Sequence, residues 1–172
     1  MPKRVLILGG ARSGKSSFAL NEASAVPGKK AFLATAEALD DEMAVRIARH
    51  RSERAPDWDT FEEPVELPPL ISRVVPDYPV VLIDCLTLWV SNIVLRELPF
   101  DRYAGHLLEA ISNGATADLY MVSNEVGLGL VPDTPIGRKY RDDLGRLNAN
   151  IAAAATDVYF MVAGIPMKMK GA

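Results

Sequence analysis

The feature that most restricts how this 172-residue chain can fold lies near its start. A short apolar run, Val5–Leu8, leads directly into Gly9-Gly10-Ala11-Arg12-Ser13-Gly14-Lys15-Ser16, and a stretch of helical period runs from Lys15 to about Ala25. The eight residues fit G-x-x-x-x-G-K-[ST]. Glycines let the backbone turn its N–H groups inward around phosphate oxygens, and the following helix adds the positive end of its dipole. Lys15 is placed to reach the β- and γ-phosphates of a nucleotide, and Ser16 to ligate Mg²⁺. The bland alternative is a glycine-rich turn that binds nothing, but the strand before and helix after are the context that phosphate binding needs.

The rest of the chain repeats the strand–helix alternation. Four further runs, Ala31–Ala34, Val80–Ile83, Leu119–Val122 and Val158–Val162, are almost continuously apolar, as strands buried on both faces are. Helical period is expected over Asp40 to Arg54, Leu86 to Leu98, Asp101 to Ser112 and Ile136 to Ala155. In the last, Ile136, Tyr140, Leu144, Leu147 and Ile151 form one stripe. This pattern predicts an α/β chain of P-loop NTPase-like (RecA-like) three-layer form, with a mostly parallel central sheet. The proline-rich span Ala55–Pro79 reads as a long irregular connection. At roughly 150 residues per domain, residues 1–172 are expected to form a single nucleotide-binding domain.

Composition narrows the function. The chain carries 19 basic and 22 acidic residues, a net charge of −3, so no general positive field is available for a nucleic-acid backbone. One cysteine, Cys85, and two histidines can form neither an internal disulfide nor a zinc site. A reducing, cytoplasmic setting is expected. No apolar run is long enough for a membrane span, so membrane insertion is not expected.

Ligands of open α/β sheets bind at the carboxyl ends of the strands, so candidate residues are sought there. Val80–Ile83 ends in Asp84, where a P-loop protein places the carboxylate that helps to hold Mg²⁺; the alternative is a helix cap. Ser123-Asn124-Glu125-Val126-Gly127-Leu128-Gly129 follows another strand and could line a substrate cleft or be only a turn. His50 lies at helical spacing from Arg46 and Arg54, cations that disfavour the imidazolium and leave a nucleophilic ring. Such a histidine could attack phosphorus and carry a nucleotidyl group, or be a solvated surface residue; spacing alone leaves both open. Cys85 reads as an inert buried residue, and His106 as surface.

Taken together, these residues resemble the bifunctional adenosylcobinamide kinase/adenosylcobinamide-phosphate guanylyltransferase family of cobalamin biosynthesis. The resemblance covers nearly the whole chain. It includes residues 9–16, Ala34-Thr35-Ala36, Asp41-Glu42-Met43, Arg46-Ile47 with His50 and Arg54, and Trp58 with Thr60 and Glu62-Glu63-Pro64. It continues through Asp84-Cys85-Leu86-Thr87, Ser123-Asn124-Glu125-Val126-Gly127-x-Gly129-x-Val131-Pro132, Tyr140-Arg141-Asp142-x-x-Gly145-x-x-Asn148 and a Gly164-x-Pro166 tail.

The resemblance implies phosphorylation of adenosylcobinamide by ATP or GTP. It then implies GMP transfer from GTP to adenosylcobinamide phosphate through a guanylyl-histidine at His50. It maps nucleotide contacts onto Gly9, Gly10, Ala11, Arg12, Ser13, Gly14, Lys15 and Ser16, onto Ala34, Thr35 and Ala36, onto Arg51, Ser52, Glu53 and Arg54, and onto Glu62 and Asp84. Lys15 and His50 are the implied catalytic pair, Ser16 and Asp84 the implied Mg²⁺ ligands, and a homotrimer the implied assembly. The rival readings are a P-loop kinase of another metabolite, which would leave His50 idle, and a nucleotide switch, which would normally carry an Asn-Lys-x-Asp guanine motif absent here.

Overall fold

The computed structural model describes residues 2–37, 55–113 and 116–171. The expected helix over Asp40 to Arg54, and with it His50, Arg51, Ser52, Glu53 and Arg54, lies outside the described residues. In chain order the elements are β1 (Arg4–Gly9), α1 (Lys15–Ser24), β2 (Lys30–Ala34), β3 (Trp58–Glu62) and α2 (Leu67–Val74). They continue with β4 (Val80–Asp84), α3 (Leu86–Leu95), α4 (Phe100–Asn113), β5 (Asp118–Val122), α5 (Pro135–Ala154), β6 (Asp157–Val162) and β7 (Ile165–Lys170).

The strands form one sheet in the order β3-β2-β4-β5-β1-β6-β7. All neighbours are parallel except β6 and β7, which form an antiparallel hairpin. The alternation of side chains along each strand splits the core in two. Leu6, Leu33, Val81, Ile83, Leu119 and Met121 face α2 to α5, whereas Val5, Ile7, Phe32, Val80, Leu82 and Val122 share the opposite layer with Ala19 and Ala23 of α1. Helices therefore cover both faces, which is why the central strands are apolar at every position.

The five expected strands are present. The span Ala55–Pro79, expected to be irregular, instead holds β3 and α2. β3 is an edge strand paired only with β2, so its charged residues, Asp59 and Glu62, sit where an edge tolerates them. The prolines that looked like breakers open α2, where the first turn has no use for their missing N–H. The last strand, β7, also escaped the sequence pattern: every residue of it is exposed. It turns back from β6 through Ala163 and Gly164, both at positive φ (51° and 83°), as a two-residue hairpin turn requires.

Candidate functional site

β1 lies inside the sheet between β5 and β6, and the loop that follows it needs its glycines. Gly9 lies at φ 149°, and a Cβ there would approach the Met161 carbonyl to 2.6 Å and Ser13 Oγ to 2.7 Å. Gly14 takes a left-handed conformation, φ 90°, as the N-cap of α1. Arg12, also at positive φ (55°), stands exposed on the loop. The Gly164 N–H donates to the Ser13 carbonyl at 3.1 Å, so the β6–β7 turn braces the loop from one side.

Lys15 is the first residue of α1 and only 8% exposed. Its Nζ donates to the Gly10 carbonyl at 2.5 Å and, more weakly, to Ser13 Oγ at 3.4 Å. Both acceptors are neutral. Burial lowers the Lys15 pKa from its usual value, against the opposing pull of Cys85 and Asp84. A cation held this way, at the N-terminus of a helix that follows a glycine loop, is suited to receive an anion.

Asp84 ends β4, which is separated from β1 by β5 alone. Two strand spacings put it about 9.5 Å across the sheet from the loop strand, room enough for a phosphate chain and a cation. The Asp84–Cys85 peptide is cis. The turn after Asp84 is fixed by Thr35, which is entirely buried: its hydroxyl donates to the Cys85 carbonyl at 2.7 Å and accepts from the Cys85 N–H at 3.0 Å. Asn92, reaching from α3, donates to the carbonyls of Thr35 at 2.9 Å and Pro64 at 3.0 Å. The Thr35 side chain is thus used up in joining the ends of β2 and β4. Burial, with help from Asp84, pushes the Cys85 thiol up to about 11, so it is not a nucleophile near neutrality.

Between these two parts lies the end of β5. Its Ser123 N–H donates to the Ile7 carbonyl at 3.0 Å, and Glu125 N–H to the Gly9 carbonyl at 3.1 Å. Asn124 N–H donates to Thr87 Oγ1 at 2.7 Å, and the Asn124 carbonyl accepts from Asn148 Nδ2 at 3.0 Å. Residues 123–125 therefore tie the phosphate loop to the first turn of α3. The spacing of Thr87, Asn124 and Asn148 carries no sequence signal for this convergence, because the three come from different elements.

The residues named from sequence fall into three groups. Gly9 to Ser16, Ala34 to Ala36 and Asp84 gather at one edge of the sheet. Glu62 ends β3 beside Ala34, two strands from Asp84. His50 to Arg54 lie outside the described residues. Ser16 and Asp84 offer hard oxygen donors, which suit Mg²⁺, an ion usually bound by one or two protein oxygens together with substrate phosphates. Among the described residues no group of three or more His, Cys, Asp or Glu is placed to hold a metal by itself.

A three-layer α/β fold with this loop at the end of an interior parallel strand defines a P-loop nucleotide-binding protein. A solved protein from Pyrococcus horikoshii OT3 shares the fold, with a TM-score of 0.57 at 9% identity over 98% of this chain and 86% of its own. The family model for cobinamide kinase / cobinamide phosphate guanyltransferase matches residues 5–169, and the chain belongs to that family. It is 42% identical over 98% of both chains to the bifunctional adenosylcobalamin biosynthesis protein CobP of Pseudomonas aeruginosa. It is 36% identical to the bifunctional adenosylcobalamin biosynthesis protein CobU of Escherichia coli, over 96% of this chain and 99% of the relative. No described helix is long and apolar enough to cross a membrane.

Proposed function

We propose that this chain carries out both reactions of its family at one nucleotide site. The observation that carries the reading is Lys15, a buried cation whose hydrogen-bond acceptors among the described residues are both neutral, inside a phosphate loop in a chain that the family model matches from residue 5 to residue 169.

In the kinase step, the hydroxyl oxygen of adenosylcobinamide attacks the γ-phosphorus of ATP or GTP. The bond from that phosphorus to the β-bridging oxygen breaks, the nucleoside diphosphate leaves, and the hydroxyl proton passes to solvent or a nearby carboxylate. Lys15 and the loop amides hold the phosphates and offset the charge on the transferring group. In the second step, a ring nitrogen of His50 attacks the α-phosphorus of GTP and pyrophosphate leaves. A phosphate oxygen of adenosylcobinamide phosphate then displaces the histidine, giving adenosylcobinamide-GDP. Ser16 and Asp84 would hold Mg²⁺, which when bound neutralises charge on the phosphate oxygens.

The remaining nucleotide contacts, Arg12, Ala34 to Ala36, Arg51 to Arg54 and Glu62, rest on the family resemblance. So does a homotrimer. An exposed apolar strip along the β6–β7 hairpin, Val162, Ile165, Met167 and Met169, gives it a surface on which copies can meet. A biosynthetic role and a single unpaired cysteine support a cytoplasmic setting.

The test is incubation with GTP labelled at the α-phosphate, followed by addition of adenosylcobinamide. The wild type gains a covalent label that is acid-labile and base-stable, releases pyrophosphate, and yields both the phosphorylated and the GDP-linked product. His50→Ala keeps the kinase product and loses the label. A His50→Ala protein that still labels fully sinks the covalent step; phosphorylated product without pyrophosphate leaves a kinase alone.

A further inference from the structure

The Ser123–Gly129 segment did more than fold back into the sheet, and the residues beyond it are unusual. Leu128 is 79% exposed, Leu130 95%, Val131 62% and Ile136 48%. Single exposed aliphatics are ordinary on any protein; four within nine residues form a patch that calls for an occupant. From Val126 to Pro132 the chain carries no charged residue.

The patch is held firmly at both ends. At its start, Glu125 N–H is bonded to the phosphate loop at Gly9, and Gly127 N–H donates to Glu125 Oε1 at 2.7 Å. At its end, Arg138 Nη1 donates to the carbonyls of Pro132 at 3.0 Å and Asp133 at 2.8 Å. Thr134 caps α5 by accepting from Gly137 N–H at 3.2 Å, and a Cβ on Gly137 would meet Pro132 Cβ at 2.8 Å, so the loop sits hard against the first turn of the helix. The backbone is anchored and the aliphatic side chains are left in water.

Position decides what fits. The loop leaves β5, which runs between the phosphate-loop strand β1 and the Asp84 strand β4. It therefore rises on the side of the reacting phosphates, where the acceptor must approach to attack in line. The family's acceptor, a cobinamide, is a large macrocycle whose ring carbons lie exposed between polar amide side chains, and an uncharged aliphatic surface can pack against those carbons. The nucleotide is instead served by the loop amides and Lys15. The other exposed apolar strip, on the β6–β7 hairpin, flanks the opposite side of the phosphate loop through the Gly164–Ser13 bond and belongs to a sheet edge, a place for a second copy.

We infer that Leu128, Leu130 and Val131, with Ile136 behind them, form the platform on which the corrin ring of the acceptor rests, its hydroxyl-bearing arm turned toward the phosphate loop. This rests on the cobinamide reading above. The platform selects the acceptor and takes no part in binding GTP.

The experiment is steady-state kinetics with adenosylcobinamide varied at saturating GTP, and the reverse, for wild type, Leu130→Asp, Leu130→Met and the double variant Leu128→Ser/Leu130→Ser. These side chains face water, so folding is not at stake, and light scattering records the assembly state of each. Leu130→Asp and the double variant raise KM for adenosylcobinamide about tenfold, as expected from the loss of one well-buried aliphatic contact, with KM for GTP and the assembly state unchanged. Leu130→Met stays near wild type. An unchanged KM for adenosylcobinamide overturns the platform. So does a variant that falls apart into smaller species, which would make the loop a contact between copies. Wild-type protein that binds GTP but leaves adenosylcobinamide unaltered overturns the parent reading, and the platform with it.

Discussion

Among the described residues two lysines are buried, and they are buried for opposite reasons. Lys30, at the start of β2, is 2% exposed; its Nζ contacts Asp57 Oδ2 at 2.6 Å and the Gly28 carbonyl at 2.8 Å. Lys15, at the carboxyl edge of the same sheet, is nearly as buried, yet among the described residues its Nζ touches a carbonyl and a hydroxyl and no carboxylate. The first cation is neutralised by the fold; the second is desolvated and left for a ligand. The difference teaches where the fold spends stability on function: an unpaired buried charge is costly unless an anion arrives to meet it.

The largest effect expected from this contrast is kinetic. Lys15→Met removes the group that meets the phosphates and should lower kcat/KM of both reactions by about 10²–10³, the scale of one lost donor at a developing charge. Its melting temperature, followed without nucleotide, should stay level or rise, because a desolvated cation has been replaced by an apolar chain of similar length. Loss of stability comparable to loss of activity would make Lys15 a second Lys30 and break the comparison.

The same contrast explains how much was legible in the sequence. The phosphate loop could be read because its geometry is written in the positions of Gly9 and Gly14, which few other residues could occupy, and because strand and helix flank it directly. The central strands could be read because burial on both faces makes them apolar throughout. β3 could not: its edge position permits Asp59 and Glu62, and Pro68 and Pro69 disguised the start of α2. The Thr35–Cys85 and Lys30–Asp57 pairings could not either, since their partners lie 50 and 27 residues apart and only the parallel register of β2 with β3 and β4 brings them together. The family resemblance makes Thr35 a nucleotide contact; its hydroxyl is engaged in holding the Asp84 turn, so a contact with nucleotide would run through its backbone.

A smaller and purely structural effect is expected at Lys30. Lys30→Met leaves the Gly28 carbonyl without its donor and Asp57 without its cation, and should cost about 1–3 kcal/mol in urea unfolding at neutral pH. Turnover should be unchanged wherever the variant remains folded. A variant that unfolds like wild type but turns over slowly would mean that Lys30, not only Lys15, serves the site.

The smallest effect is a pH dependence at Asp57. Its hydrogen bond from Lys30 holds the carboxyl below the usual carboxylate range, with burial acting in the other direction. A carboxyl whose pKa is lower in the folded chain contributes stability that is complete above its unfolded value, about 3.9, and is lost as pH falls through the folded value. Asp57→Asn keeps an oxygen that can accept from Lys30 but carries no charge, so it should melt below wild type at pH 7. The gap should narrow steadily once the pH passes below about 4, where wild type protonates as well. Because other carboxyls titrate in both proteins, the difference between the two melting curves is the quantity to follow, not either curve alone. A gap that stays constant on acidification would mean that Lys30 is held by hydrogen bonds to neutral groups, as Lys15 is, and the distinction between a neutralised and a waiting lysine would lose its physical basis.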